Sequence, residues 1–134
     1  MESKSAATLA QSQLTGFSED EAATHAAVQQ AIIDTLLESI PTTLMPESLQ
    51  VVPIFDQQSD RYQLFCQGWT EREKRIFYPI IHVEIIERQV WIQHNQSDLD
   101  VGDALAQRGI PKSQIVLGLH PPSVRQLNET YAAG

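Results

Sequence analysis

The chain has one cysteine, Cys66, in 134 residues. One thiol makes no internal disulfide. It lies in an apolar run, Tyr62-Gln63-Leu64-Phe65-Cys66, with no cation beside it. It therefore reads as a small buried hydrophobe and not as a reactive thiolate. Long apolar runs are also missing, and no stretch approaches the roughly 20 residues that a membrane-spanning helix needs. The start, Met1-Glu2-Ser3-Lys4-Ser5, lacks the basic-then-apolar layout of a signal peptide. A cytoplasmic protein without a membrane is expected. In that setting Asn95-Gln96-Ser97 and Asn128-Glu129-Thr130 are chance matches to the glycosylation pattern.

Glycine is sparse as well. Gly68, Gly102, Gly109 and Gly118 stand alone, which excludes a glycine-rich phosphate loop. No nucleophile elbow is present. His82, His94 and His120 are scattered and no cysteine supports them, so no metal site and no cofactor are expected. Positive charge is scarce: nine Lys and Arg stand against 17 Asp and Glu, a net charge of −8. Residues 1–47 hold seven of the acids and one lysine. Such a chain repels phosphate backbones, which argues against a stand-alone DNA binder.

What is present fits a single domain able to bury one core without disulfide or metal staples. Residues 1–17 are rich in Ala, Gln, Ser and Thr without periodicity and read as a flexible N-terminal extension; residues 18–134 read as one domain. Ser18-Glu19-Asp20-Glu21 is a capping box. It opens a helix over residues 22–40, with Val28, Ile32, Leu36 and Ile40 in one stripe and Ile33 and Leu37 widening it. Pro41 and Pro46 stop it.

The period then changes from four to two. Residues 49–55 and 61–67 form two strands around the polar break Asp56-Gln57-Gln58-Ser59-Asp60. Gly68-Trp69 ends the second. Thr70-Glu71-Arg72-Glu73-Lys74-Arg75 is an exposed charged turn. Residues 76–86 form the longest strand, with Phe77, Ile81, Val83 and Ile85 expected on the core face. A tight turn near Glu87-Arg88 returns residues 90–94 as a fourth strand. Pairing Ile86 with Gln89 sets Ile85 against Val90 and Val83 against Ile92 in the core. It sets Glu84 against Trp91 and His82 against Gln93 on the other face.

Helical signals follow. Ser97 and Asp98 can cap, and Asp98 and Asp100 favour the positive helix start. Gly109 reads as a left-handed stop and Pro111 opens a short helical turn. Ile115-Val116-Leu117 is a closing apolar segment, and the tail carries Arg125 and Tyr131. The expected architecture is α+β: an N-terminal helix over one face of a four-stranded antiparallel meander, closed by short C-terminal helices. Open sheet edges make a homodimer or another partner plausible.

The ordered residues Arg61-Tyr62-Gln63-Leu64, Gly68-Trp69, Arg75, His82, Trp91-Ile92-Gln93-His94-Asn95, Gly109-Ile110-Pro111, Ile115-Val116-Leu117-Gly118, Pro121, Pro122, Arg125 and Tyr131 resemble the XisI family. That family is named for a factor controlling excision of the fdxN element in cyanobacterial heterocyst development. The resemblance covers about residues 27–134. It implies a cyanobacterial source, a regulatory role in programmed DNA excision, and a XisH-like, nuclease-related protein partner. The recombination chemistry would belong to a separate recombinase. The family often carries Asp-Gly or Asn-Gly before the Trp-Ile-Gln strand. Here Glu87-Arg88-Gln89 stands there, so a different turn geometry is expected.

The candidate binding residues are His82, Gln93 and Asn95, with Trp91 as an apolar floor and Arg125 reaching in from the tail. No catalytic residues are assigned. Asp98, Asp100 and Asp103 sit at a helix start and Glu84 lacks a nearby lysine, so a metal-dependent nuclease is disfavoured. Trp69 and Trp91 would need to stand among lysines and arginines to stack bases; only Arg72, Lys74 and Arg75 cluster, alternating with Glu71 and Glu73, which reads as a solvated hairpin tip. Three readings remain. The leading one is an accessory protein acting with a XisH-like partner. The others are a sequence-specific DNA binder, and a small-ligand or peptide module or enzyme built on His82 and Gln93.

Overall fold

An apolar residue at every fourth position on an alanine-rich background gives a 20-residue helix, α1 (Glu19–Glu38). The computed structural model describes residues 19–41 and 48–134. The N-terminal extension, the cap at Ser18 and the stop at Pro46 lie outside them. The chain falls into two units, with a boundary after Gln30 inside α1. In the second unit Ala31, Ile32, Thr35 and Leu36 are buried, while Leu37, expected to widen the stripe, is 45% exposed. The buried Thr35 hydroxyl donates to the Ala31 carbonyl at 2.7 Å and so carries no unmet polar group. The helix ends at Glu38, three residues before Pro41, and just beyond it the Ser39 hydroxyl donates to the Leu36 carbonyl at 2.7 Å.

Four strands follow as an antiparallel meander: β1 (Leu49–Asp56), β2 (Arg61–Trp69), β3 (Arg75–Ile86) and β4 (Gln89–Asn95). A fifth, β5 (Ile115–Val116), adds parallel to β4, giving the order β1-β2-β3-β4-β5. The expected four strands are present. The fifth was read only as an apolar segment, because two residues show no period.

The core face of the sheet carries Tyr62, Leu64 and Cys66 from β2, Ile81 and Val83 from β3, and Val90 and Ile92 from β4, all buried. Ile115 joins them, with Val101, Leu105 and Ile110, while Val116, paired with Trp91, is buried on the opposite face. Each fully buried aliphatic contributes about 1.5–3 kcal/mol relative to exposure.

Two bulges correct the sequence register. The first lies between Leu64 and Phe65, where the partner of β2 steps from Ile81 to Pro79. The extra residue on β3 reverses the faces of everything before it. Phe77, expected in the core, is therefore outward, 62% exposed, and packed at a tilt against Phe65 with 4.9 Å between ring centroids. The second lies on β4. Ile86↔Gln89, Ile85↔Val90, Glu84↔Trp91 and Val83↔Ile92 pair as expected, but His82 faces His94 and Gln93 is the extra residue.

The β3–β4 turn takes positive φ at both Glu87 (49°) and Arg88 (69°). These are the signs that Asn-Gly adopts in a two-residue hairpin turn, so the turn keeps that geometry without glycine. Gly68 shows the opposite economy. Its φ is +149° and a Cβ there would sit 1.8 Å from the Ser48 carbonyl oxygen, so only glycine fits.

After β4 the helix α2 (Val101–Gln107) is capped by Asp100, whose carboxylate accepts from the Asp103 amide at 2.9 Å. The expected caps, Ser97 and Asp98, lie further upstream. Gly109, at φ 99°, follows the helix as expected. A 3-10 turn, Lys112–Gln114, leads into β5, and a single turn of helix, α3 (Pro122–Arg125), follows. The tail then returns to the sheet, where the Ala132 amide donates to the Ile115 carbonyl at 2.9 Å. Among the described residues no helix is long and apolar enough to cross a membrane.

Candidate functional site

The β2–β3 register places Gln63 opposite His82 and Arg61 opposite Glu84, on the face away from the core. The Gln63 amide donates from Nε2 to His82 Nδ1 at 2.8 Å. The ring proton then lies on Nε2, which donates to Glu84 Oε2 at 2.9 Å. Arg61 Nε stands 3.7 Å from the other Glu84 oxygen. The side chains of His82 and Glu84 are only 18% and 19% exposed. Both imidazole nitrogens are therefore engaged by the protein. The ring is held in one orientation, and neither nitrogen presents a lone pair to a substrate.

Trp91 and Gln93 lie under the C-terminal tail. The Arg125 guanidinium stands over the Trp91 ring, 5.2 Å from its centroid. Its Nε donates to the Ala133 carbonyl at 2.9 Å and its Nη1 to the His120 carbonyl at 2.8 Å. Gly118 passes so close that a Cβ would meet Gln93 Oε1 at 2.6 Å and Trp91 Cε3 at 2.9 Å; one on Gly134 would meet Trp91 Cη2 at 2.7 Å. The Trp91 Nε1 atom is buried and lacks a hydrogen-bond partner among the described residues. The surface expected as an apolar ligand floor is thus occupied by the chain's own tail.

Tyr131 fixes the tail at a second point. A Cβ on Gly102 would meet its hydroxyl at 2.5 Å. The Lys112 ammonium lies 5.5 Å from the Tyr131 ring centroid. Burial raises the Tyr131 phenol above its ordinary value, and the nearby Asp100 charge adds to this. Lys112 is also raised, chiefly by its bond to Asp103.

Asn95 builds a loop. Its side-chain oxygen accepts from the Ser97 amide at 2.9 Å and the Ser97 hydroxyl at 2.6 Å, and its amide donates to the Leu99 carbonyl at 2.8 Å. The candidate residues therefore fall into three sets. His82 belongs to a polar row with Gln63, Glu84 and Arg61. Trp91, Gln93 and Arg125 belong to the tail clasp, and Asn95 to the turn before α2. Gln63 and Arg61 were not singled out from sequence. The alternation in Arg61-Tyr62-Gln63 marks them as outward, but their partners follow only from the β2–β3 register. Among the described residues no group of three His, Cys, Asp or Glu could hold a metal ion.

A further depression of about 440 Å³ lies beside the end of α1 and is lined by Thr35, Glu38, Leu99 and Arg108. Arg108 forms an ion pair with Glu38 there.

The fold has close relatives of known structure. A XisI-like protein from Anabaena variabilis superposes with a TM-score of 0.67 at 25% identity, over 83% of this chain and 97% of that one. The fdxN element excision controlling factor XisI from the same organism gives a TM-score of 0.64 at 30% identity, with the same coverage of both chains. No curated protein matches the chain significantly. The family model described as XisI protein matches residues 23–133, and the chain accordingly belongs to the XisI protein family.

Proposed function

We propose that this protein is an accessory factor controlling excision of a DNA element in the cytoplasm, and that it acts by binding a XisH-like, nuclease-related protein. The observation that carries this reading is the fold and 30% identity shared with an excision controlling factor over 83% of the chain. Two physical features favour a regulator over an enzyme or a stand-alone DNA binder. His82 is bonded through both ring nitrogens, so it is no ready general base. A net charge of −8 opposes a phosphate backbone.

Co-expression with a XisH-like protein tests the proposal. A complex that survives purification is the expected result, and separate elution of the two proteins at micromolar concentration overturns it. A mobility-shift titration of the chain alone with element-end DNA supplies the contrast. A sequence-dependent shift persisting at moderate salt favours the DNA-binding reading instead.

A further inference from the structure

β3 is longer than its neighbour on one side. It pairs with β2 from Arg75 to Glu84, but β4 begins to pair only at Ile81. Among the described residues, 75–80 therefore have a strand on one side alone. At the inner end of this edge the Ile80 carbonyl accepts from the Gln96 amide at 2.7 Å, and the Pro79 carbonyl accepts from His94 Nε2 at 3.0 Å. Pro79 has no amide proton to offer. At the outer end the Thr70 amide donates to the Lys74 carbonyl at 2.9 Å. The alternation of an antiparallel ladder then directs the backbone groups of Ile76 and Tyr78 toward β2 and those of Arg75 and Phe77 away from it.

This open edge is also apolar. Phe77 is 62% exposed, Trp69 49% and Tyr78 41%. Arg75 holds Trp69 and Phe77 together from 5.2 and 5.7 Å. The sheet's other long edge, β1, also carries a proline, Pro53, but differs in that no aromatic residue except Phe55 lies on it.

The geometry points to a second copy of this chain as the occupant of the β3 edge, added antiparallel about a two-fold axis at Phe77. The inference goes beyond the accessory role and does not depend on it. The edge is too short for a long heterologous strand, yet it complements itself. Phe77 exchanges both backbone hydrogen bonds with Phe77 of the second copy, and the Arg75 amide reaches the spare lone pair of the second copy's Pro79 carbonyl. Only the Arg75 carbonyl, opposite the proline that has no amide, stays with solvent. The two Phe77 rings meet beside the Phe65 rings on one face, and Ile76 meets Tyr78 on the other.

Charge supplies the second argument. This register carries the exposed hairpin tip of one copy, with Arg72, Lys74 and Arg75 among Glu71 and Glu73, to the segment after β4 of the other. That segment carries the exposed acids Asp98 and Asp100. Local attraction there offsets part of the repulsion between two chains of charge −8.

Sedimentation equilibrium of the full chain tests the inference. The wild type is expected to be dimeric at about 50 μM, in the range of modest interfaces. Phe77→Asp should weaken association at least about tenfold, as loss of a central aromatic anchor does, with an unchanged far-ultraviolet circular dichroism spectrum. Ile54→Asp on β1 should leave association intact. Lys74→Glu should weaken it, and adding Asp98→Lys should restore it. A monomeric wild type at about 100 μM overturns the proposal. So does a dimer indifferent to Phe77→Asp, or one broken by Ile54→Asp instead.

Discussion

The outward face of the sheet has two ends that are treated differently. Toward β4 and β5 the tail lies across it: Arg125, Gly118 and Gly134 close over Trp91, and Tyr131 seats against Gly102. Toward β1, β2 and the first half of β3 no described residue outside the sheet closes over the face in this way. Ile54, Trp69 and Phe77 stand half-exposed or more. The contrast separates two kinds of conspicuous residue. The polar and aromatic set around Trp91 is spent on holding the chain's own tail. The surface free to meet another molecule lies at the opposite end, among residues that read from sequence as core or as a solvated turn.

The largest expected effect is at the covered end. Trp91→Ala should lose about 3 kcal/mol, the lower range for truncating a packed tryptophan, since the tail loses the ring it covers. Urea denaturation midpoints measure it. A loss below about 1 kcal/mol would mean that the tail rests on the sheet without stabilising it. Arg125→Ala comes next. It removes a ring contact and two bonds to backbone carbonyls, worth about 1–2 kcal/mol together. In a Trp69→Phe background, Trp91 emission should also move to longer wavelength as the tail loosens. Unchanged emission would place the clasp at Tyr131 alone.

The hairpin turn that leads into Trp91 offers a gain. Glu87 and Arg88 both hold positive φ, which costs residues with a Cβ about 1–2 kcal/mol in strain. Glu87→Asn with Arg88→Gly should return about 1 kcal/mol of it, read as a higher midpoint at unchanged slope.

These residues also show what a linear reading reaches. The pairing from Ile86↔Gln89 to Val83↔Ile92 was legible because a two-residue turn fixes register and alternation does the rest. The bulges were not. A bulge consumes one residue without a compositional mark, and so Phe77 changed face and Gln93 lost His82 as its opposite number. The outward direction of His82 was legible, but its bonds to Gln63 and Glu84 were only half so, because Gln63 is brought in by a strand whose register the sequence leaves open. Arg125 over Trp91 joins positions 34 residues apart, through a tail with no periodicity to read.

The open end should respond weakly. Ile54→Thr keeps the branched strand residue and removes apolar surface that is already half-exposed, so a loss under about 1 kcal/mol is expected. A loss equal to that of Trp91→Ala would erase the distinction between the two ends.

The smallest effect lies in the β1–β2 turn of the same end. The Asp56 carboxylate accepts from the Gln58 amide at 2.9 Å and the Ser59 amide at 3.1 Å. The bond to Ser59 is the main cause that holds its pKa below the ordinary carboxylate value. A group lowered in the folded state stabilises above its unfolded pKa, about 3.9 for aspartate. That contribution disappears as pH falls through the lowered folded value. Wild type should therefore exceed Asp56→Asn slightly at neutral pH, and the gap should close below about pH 4. Because the side chain is fully in solvent, the effect should be small beside any at the covered end. If no gap appears even at neutral pH, the turn depends on the shape of the side chain, which asparagine shares, and not on its charge.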